Sequence, residues 1–389
     1  MNEMPEIDHS LALTTVRRKR ARVSRSWKQT MNCFGDLKFL ILGAGINGLS
    51  CAMRLSEQYP RSCIEIVSEH FSPNTTSDVA AGLWEPYLLG DTAQQLVKKW
   101  SRDTYQYFHE MWKAGYADEC GISLIPYLAL SSENQSGDDE FFWKDFVFGF
   151  SELSETRLMQ FRAEHGMRYC SGAEFVTFTC EPTKLLQFYT RTLRSRGTVF
   201  RQETIGELLR FISENASFSN VIVINCLGLG SRELLNDDAV RSCRGQVRRV
   251  HAPWMFHVLI SAAGYVIPNT ESVTLGGTKQ TGDCELEVRS EDTLGIHDGC
   301  TGLTRALDRA PVIADLVGLR PTRTAVRLEI EHVQAEHSTN LVPIIHNYGH
   351  GGSGITLAWG CAGDVLALVQ DLLDHSQLHQ RYRRRKSKL

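Results

Sequence analysis

The apolar positions along the chain switch between two rhythms. Leu37 to Leu42 form a short continuous apolar run, the pattern of a strand buried on both faces. The run breaks into Gly43-Ala44-Gly45-Ile46-Asn47-Gly48, and "LSCAMRLSEQY" follows with apolar residues at helical spacing. A second β-like run, "CIEIVSE", ends at Glu69. The order is strand, glycine turn, helix, strand. Further on, Pro182–Gly197 is predicted as an amphipathic helix, and Asn220–Gly230 ("NVIVINCLGLG") as a buried strand ending in glycines. Tyr265–Pro268 and Ser272–Gly276 are predicted as two strands joined by a turn. "NLVPIIHNY" is predicted as a strand, and "TLAWGCAGDVLALVQDLLDH" as a helix starting near Thr356. "FFWKDFVFGF" is dense in aromatic rings and suits a strand or an insertion packed on the core. No internal repeat is present.

With 389 residues, the chain can build a large core and two domains. Its hydrophobic content of 42% and charged content of 22% are those of a globular protein. The longest apolar runs are too short and too glycine-rich to span a bilayer, and no signal peptide opens the chain. The 11 cysteines are scattered and show no C-x-x-C pair. This argues against a disulfide framework or a zinc finger, and for a reducing compartment in which buried thiols act as small hydrophobes.

The net charge of −3 is unevenly spread. Residues 16–28 carry seven basic side chains and residues 381–389 carry six, with no acid in either stretch. Without those 13 charges the body stands at about −16. So acidic a body is a poor partner for nucleic acid, and the basic ends are expected to be disordered tails. The last three residues, Ser387-Lys388-Leu389, match the peroxisomal address.

The glycine turn fits G-x-G-x-x-G in its required setting between strand and helix. The first glycine makes the tight turn, the second lets the backbone approach a pyrophosphate, and the third lets helix and strand pack closely. The phosphates would sit on the helix N-terminus, where free N–H groups and the dipole favour anions. Glu69, 21 residues after Gly48, can accept hydrogen bonds from ribose hydroxyls. The pattern points to a dinucleotide, NAD or FAD. Ser72–Tyr87 is rich in hydroxyls and small residues, which suits approach to a flat ring and equally an ordinary loop.

The stretch "NYGHGGSGIT" (Asn347–Thr356) raises three options. A nucleophile elbow needs G-x-S-x-G, and the final glycine is absent after Ser353. His346 and His350 have the spacing of helix-borne zinc ligands, but the segment is too rich in glycine for a helix. What remains is a glycine turn feeding a helix N-terminus, which stabilises negative charge. A reduced flavin carries such charge on its pyrimidine edge, so the feature favours FAD. The polar side chains of the stretch have no role in this reading. Nearby, Arg320, Arg323 and Arg327 are candidates to grip a substrate carboxylate through a guanidinium fork, and spacing does not choose among them.

Together the motifs resemble the D-amino-acid oxidase and D-aspartate oxidase family of flavoenzymes, from about Lys38 to the C-terminus. The resemblance rests on "GAGINGLS", "TTSDVAAGLWEPY", "FWKDFVFGF", "RGQV" with "HAPWM", "YVIPN" with "VTLGGT", "VGLRPTR", "IIHNYGHGGSGIT" and the S-K-L end. It implies FAD held by Gly43, Ala44, Gly45, Ile46 and Gly48, with Glu69 on the ribose. His70, Thr76, Ser77, Gly82 and Leu83 would line the cofactor, and Gly351, Gly352, Gly354, Ile355 and Thr356 would embrace the flavin pyrimidine. Arg320 matches the family's carboxylate clamp and Tyr265 the tyrosine that helps it. Gly352 matches the position whose carbonyl meets the substrate amine. Lys279 stands where the aspartate branch places an arginine for the side-chain carboxylate. The segment from Trp254 to Tyr265 is short, unlike the long lid of vertebrate neutral-substrate enzymes. "VLISAAGY" lacks a further arginine found in the aspartate branch.

The expected fold is α/β, with a Rossmann-like FAD-binding domain (37–90, 172–231 and 321–380) and a second mixed β-sheet substrate domain (91–171 and 232–320). Residues 1–36 are expected to be a disordered extension, and 381–389 a basic tail. The expected activity is oxidative deamination of acidic D-amino acids (D-aspartate, D-glutamate) by hydride transfer to flavin N5, with O2 reoxidising the flavin to give peroxide. Oxidation of neutral D-amino acids is the alternative. The expected partners are the D-amino acid, O2 and a peroxisomal import receptor, with no metal, nucleic acid or membrane. A homo-oligomer is left open.

Overall fold

The computed structural model describes residues 37–133, 141–165, 169–215, 220–334 and 341–386. The extension over 1–36 and the terminal Ser387-Lys388-Leu389 lie outside the described residues.

The first predicted unit forms as its pattern requires. In β1 (Lys38–Leu42) every residue is buried, since a continuous apolar run has no polar face to offer water. The chain turns at Gly43, enters α1 (Ile46–Gln58) and returns as β2 (Cys63–Ser68), parallel to β1. A short helix, α2 (Thr76–Val79), follows. Buried Asp78 holds it, accepting from the Ser72, Thr75 and Thr183 hydroxyls and from the Thr75 N–H. The longer α3 (Gln94–Lys113) was not among the predicted elements.

Then come β3 (Ile122–Ser131), β4 (Phe148–Glu152) and β5 (Ser171–Cys180). The aromatic stretch divides between a 3-10 turn at Lys144–Phe146 and β4. Trp143 and Phe146 meet the buried Trp84 edge-on, at 5.6 Å between centroids in both cases. The predicted helix forms as α4 (Pro182–Ser195), followed by β6 (Val199–Gln202) and the wholly buried β7 (Val221–Asn225). Next are β8 (Arg241–Val250), β9 (Val258–Ser261), β10 (Gly264–Pro268), β11 (Val273–Gly276) and β12 (Gln280–Thr281). The chain ends with β13 (Val312–Gln334), β14 (Leu341–His350) and α5 (Gly354–Lys386).

The fourteen strands among the described residues join one sheet, in the order β4-β5-β3-β9-β10-β11-β8-β13-β14-β7-β1-β2-β6, with β12 beside β8. From β14 to β6 the pairing is parallel, as in a dinucleotide-binding fold. The other half is antiparallel apart from the β3–β9 pair. The 23-residue β13 joins them, pairing with β8 along its first part and with β14 along its last. The α/β architecture is therefore the expected one, with both sheets merged. Two expected boundaries, at 171/172 and 320/321, fall inside the continuous strands β5 and β13.

Helix α5 begins at Gly354, two residues before its predicted start, and continues to Lys386. The basic stretch from Arg381 to Lys386 is thus helical and not the expected disordered tail. Arginine and lysine are good helix formers, and a helix already propagating needs no new nucleus. Gly354–His375 has the length and mean hydropathy (1.3) of a membrane span, but 56% of its apolar window is buried in the protein. Polar ties fix it there: the Trp100 indole donates to Asp364 at 2.7 Å, and Lys99 pairs with the same carboxylate.

The antiparallel half positions the site. Paired residues point to the same face of a sheet. Leu316, Val247, Gly276, Tyr265, Ile260 and Ala129 form one such row across six strands. That face is one wall of a large cavity.

Candidate active site

A cavity of about 1840 Å³ runs between the two halves of the protein. Pockets for ordinary small ligands occupy about 300–1,000 Å³, so this one has room for a larger occupant and a substrate. At one end lie the Gly43–Asn47 turn and Glu69 and His70 after β2. Thr76, Ser77, Gly82 and Leu83 also line the cavity, Tyr265, Lys279, Arg320 and Gly351–Gly352 line the other end, and Gly354 and Ile355 stand beside the Gly43–Asn47 turn. Of the cofactor-binding residues that the resemblance implied, Gly48 and Thr356 do not reach the wall.

The turn after β1 explains Gly48. Gly43 has φ +99°, a backbone conformation that suits glycine. A Cβ on Gly48 would lie 2.0 Å from the Gly43 carbonyl oxygen. Gly48 therefore serves close packing of helix on turn, the part that the glycine pattern assigns to its third glycine. Helix α1 starts at Gly45 without a side-chain cap. The Ser77 hydroxyl accepts from the Ile46 N–H at 3.0 Å, and the Ser68 hydroxyl from the Ala44 N–H at 3.2 Å. The Thr356 side chain is a clasp. Its hydroxyl accepts from the Glu85 N–H at 3.1 Å and donates to the Glu85 carbonyl at 2.9 Å.

The two helix N-termini meet. A Cβ on Gly354 would lie 3.7 Å from the Ile46 side chain. Across the junction the Asn47 amide nitrogen is 3.2 Å from His350 Nδ1. With that amide as donor, Nδ1 accepts and the proton sits on Nε2. His350 is 1% exposed, and burial lowers its pKa to about 4, so it is neutral at physiological pH. Among the described residues, its Nε2 and the Asn47 Oδ1 are buried without a hydrogen-bond partner, and both residues line the cavity. Orphaned buried polar atoms are costly. Beside two helix N-termini they fit a bound anionic dinucleotide with polar edges. The side chains of the glycine-rich stretch are therefore not idle. The buried Ser353 hydroxyl also clasps the chain, bonding to both the N–H and the carbonyl of Tyr87.

At the far end the structure chooses among the three arginines. Arg323 is bound to Asp237 at 2.9 Å. Arg327 is bound to Glu329 at 2.7 Å, Glu331 at 3.0 Å and the Tyr348 hydroxyl at 2.9 Å. Arg320 pairs with no carboxylate among the described residues. Its Nη1 reaches the carbonyls of Thr278 (3.2 Å) and Arg244 (3.3 Å). The guanidinium lies against Gly245 of β8, and the ring of Tyr265 lies against Gly276 of β11. Burial raises the pKa of the Tyr265 hydroxyl, and the facing Arg320 partly offsets this. A cation and a neutral hydroxyl side by side can both donate hydrogen bonds to a carboxylate. Lys279 is exposed at the same end, with its ammonium 5.8 Å from the centre of the Tyr87 ring and no ion pair among the described residues.

Two contributors carry no mark in the sequence. Tyr87 packs so closely that a Cβ on Gly352 would lie 2.5 Å from its ring; it ends the Ser72–Tyr87 stretch, whose composition singles out no one residue. Arg244 is fully buried and uses all its donors on Glu285 O, Glu287 O, Gln280, Gln246 and Asp292. It anchors the segment after Lys279 to the strand behind Arg320. Nothing in its local sequence marks a buried charge.

Residues 38–368 match the family described as FAD dependent oxidoreductase (DAO). A D-aspartate oxidase from Homo sapiens is 35% identical over 336 residues, covering 86% of this chain and 95% of the relative. A D-amino acid oxidase from Dugesia ryukyuensis is 35% identical over 341 residues, covering 87% and 99%. The solved structure of a glycine oxidase from Geobacillus kaustophilus, 16% identical, covers 86% of this chain and 95% of its own with a TM-score of 0.68, which shows a shared fold. The chain therefore belongs to the DAO family of FAD-dependent oxidoreductases.

Proposed function

We propose that this flavoenzyme oxidises acidic D-amino acids, D-aspartate and D-glutamate, to 2-oxo acids and ammonia. The observation that carries the reading is the charge pattern at the end of the cavity. Arg320 and Lys279 are two cations without an internal carboxylate partner among the described residues. Arg320 lies on β13 and Lys279 just before β12, and both strands pair with β8. Arg320 and Tyr265 would hold the α-carboxylate, and Lys279 would attract the side-chain carboxylate as a point charge. The Gly352 carbonyl would accept from the substrate amine. FAD would supply the hydride acceptor, with O2 as the final oxidant and water hydrolysing the imine to the 2-oxo acid and ammonia. The protein contributes orientation, a dry pocket and fixed charge.

One observation favours a neutral substrate. The turn before Tyr265, Ser261-Ala262-Ala263-Gly264, carries no second cation. A peroxide assay of the purified protein with added FAD and a panel of D-amino acids decides. D-aspartate turning over fastest supports the acidic reading, and D-alanine turning over fastest replaces it with the neutral one. We extend the proposal to the peroxisomal matrix, on the strength of Ser387-Lys388-Leu389. Deleting these three residues should move the protein to the cytosol.

A further inference from the structure

One wall of the cavity is a run of small and apolar residues, Val79, Ala80, Ala81, Gly82 and Leu83. The backbone of this wall is held from behind. Arg249 of β8 donates from Nη2 to the Asp78 carbonyl at 2.6 Å, in the last turn of α2, where carbonyls lack an intrahelical partner. The Asn269 amide, just after β10, donates to the Ala81 carbonyl at 2.8 Å. The Cys180 N–H, at the end of β5, donates to the Gly82 carbonyl at 2.8 Å. The C=O and N–H of a trans peptide point in opposite directions. The N–H groups of Gly82 and Leu83 therefore face away from Asn269 and Cys180. Neither Arg249 nor Asn269 lines the cavity itself.

Arg249 uses its donors differently from the arginine beside it. Arg248 closes a two-point ion pair with Asp315, at 2.8 and 2.9 Å. Arg249 stands near the Glu181 carboxylate, which is 6% exposed. Burial raises the pKa of Glu181, and the Arg249 cation offsets part of the rise. Yet among the described residues the Arg249 Nε and the Glu181 Oε2 are both buried without a hydrogen-bond partner. The guanidinium grips the backbone of the wall and leaves its bonding to the acid incomplete. A buried charge pair with unfilled bonds costs stability, and such departures concentrate at functional sites. We propose that Arg249 and Asn269 are positioning residues for FAD: without touching the cofactor, they fix the Val79–Leu83 backbone against which it binds.

The inference rests on FAD binding and not on the choice of substrate. The full chain, stripped of FAD, is titrated with it. The dissociation constant is read from the quenching of flavin fluorescence, and the flavin's surroundings from the visible absorption bands of the bound form. Arg249→Met is expected to bind FAD about tenfold more weakly, the scale of one hydrogen bond involving a charged group, and to shift those bands. Arg249→Lys keeps a cation and a donor, and is expected to recover the wild-type bands and most of the affinity. Asn269→Ala leaves Arg249 and Glu181 in place and is expected to weaken binding several-fold. A purely structural role would lower the melting temperature of Arg249→Met and leave affinity and bands unchanged. That result overturns the proposal, as does a weakening that Arg249→Lys does not reverse. If Arg249→Met does not fold, Asn269→Ala decides, and wild-type affinity in it overturns the proposal. A wild type that takes up no FAD overturns the flavoenzyme reading instead.

Discussion

The guanidinium of Arg320 fills the space in front of Gly245: a Cβ at Gly245 would lie 2.3 Å from its Nη1. Arg320 pairs in register with Cys243 and reaches along β8 to Gly245, where the missing side chain leaves its guanidinium room. Gly276 does the same for the ring of Tyr265, where a Cβ would lie 2.2 Å away. Gly245→Ala should therefore act like Arg320→Ala. Each is expected to lose at least about 3 kcal/mol of transition-state binding, the scale for truncating one partner of a buried charge pair. FAD absorbance should be retained. Near-native kcat/KM in Gly245→Ala would show that the clamp tolerates displacement and that its position is not set by β8.

Lys279 is tested by a ratio. Lys279→Met removes the charge and keeps the length of the side chain. Its kcat/KM for D-aspartate should fall by about tenfold relative to D-alanine, since hydrogen bonds to charged groups contribute about 1.5–3 kcal/mol and exposure reduces this. Equal losses on both substrates would remove Lys279 from side-chain recognition.

His350 gives a pH dependence. Burial lowers its pKa from 6.5 to about 4. Between those values the unfolded chain binds the proton and the folded chain does not. Its contribution to stability is therefore complete above about pH 6.5 and is lost as the pH falls toward 4. Melting temperature measured from pH 7 to pH 4 should fall, and His350→Asn should fall less steeply. Breaking the tie to Asn47 should also weaken FAD retention several-fold, for a net hydrogen bond of about 1 kcal/mol. An unchanged FAD affinity would return the histidine to the silent role that the sequence reading assigned it.

Arg244 is a structural charge with a functional address. Replacing it by Ala leaves Asp292, 11% exposed, without its cation, and such a loss costs about 3–5 kcal/mol. Urea unfolding of the holoenzyme measures it. Asp292→Asn, which keeps a hydrogen-bond acceptor for Arg244, should cost less. If the two variants unfold at the same urea concentration, the hub is not held by charge.

The parts of this protein that depend on neighbours in sequence are legible in the sequence itself. The Gly43–Gly48 turn declares itself through the apolar run that precedes it and the helical spacing that follows, because strand, turn and helix are local. The same holds for Pro182–Ser195 and for β7, whose burial follows from its unbroken apolar run. Glycines mark the cradle at Gly351–Gly354 for the same reason. What the residues themselves cannot supply is selection among equals. Arg320, Arg323 and Arg327 look alike on one strand. Only the packed sheet shows that Asp237, Glu329 and Glu331 consume two of them and leave the third facing Tyr265. Arg244, Tyr87 and the partners of His350 are hidden for the same cause. Each acts through a residue distant in the chain, and the length of the separation erases any local signature. Local sequence determines which elements form. Long-range pairing of strands decides which side chains share a cavity, because a charge has a role only once its neighbours are known.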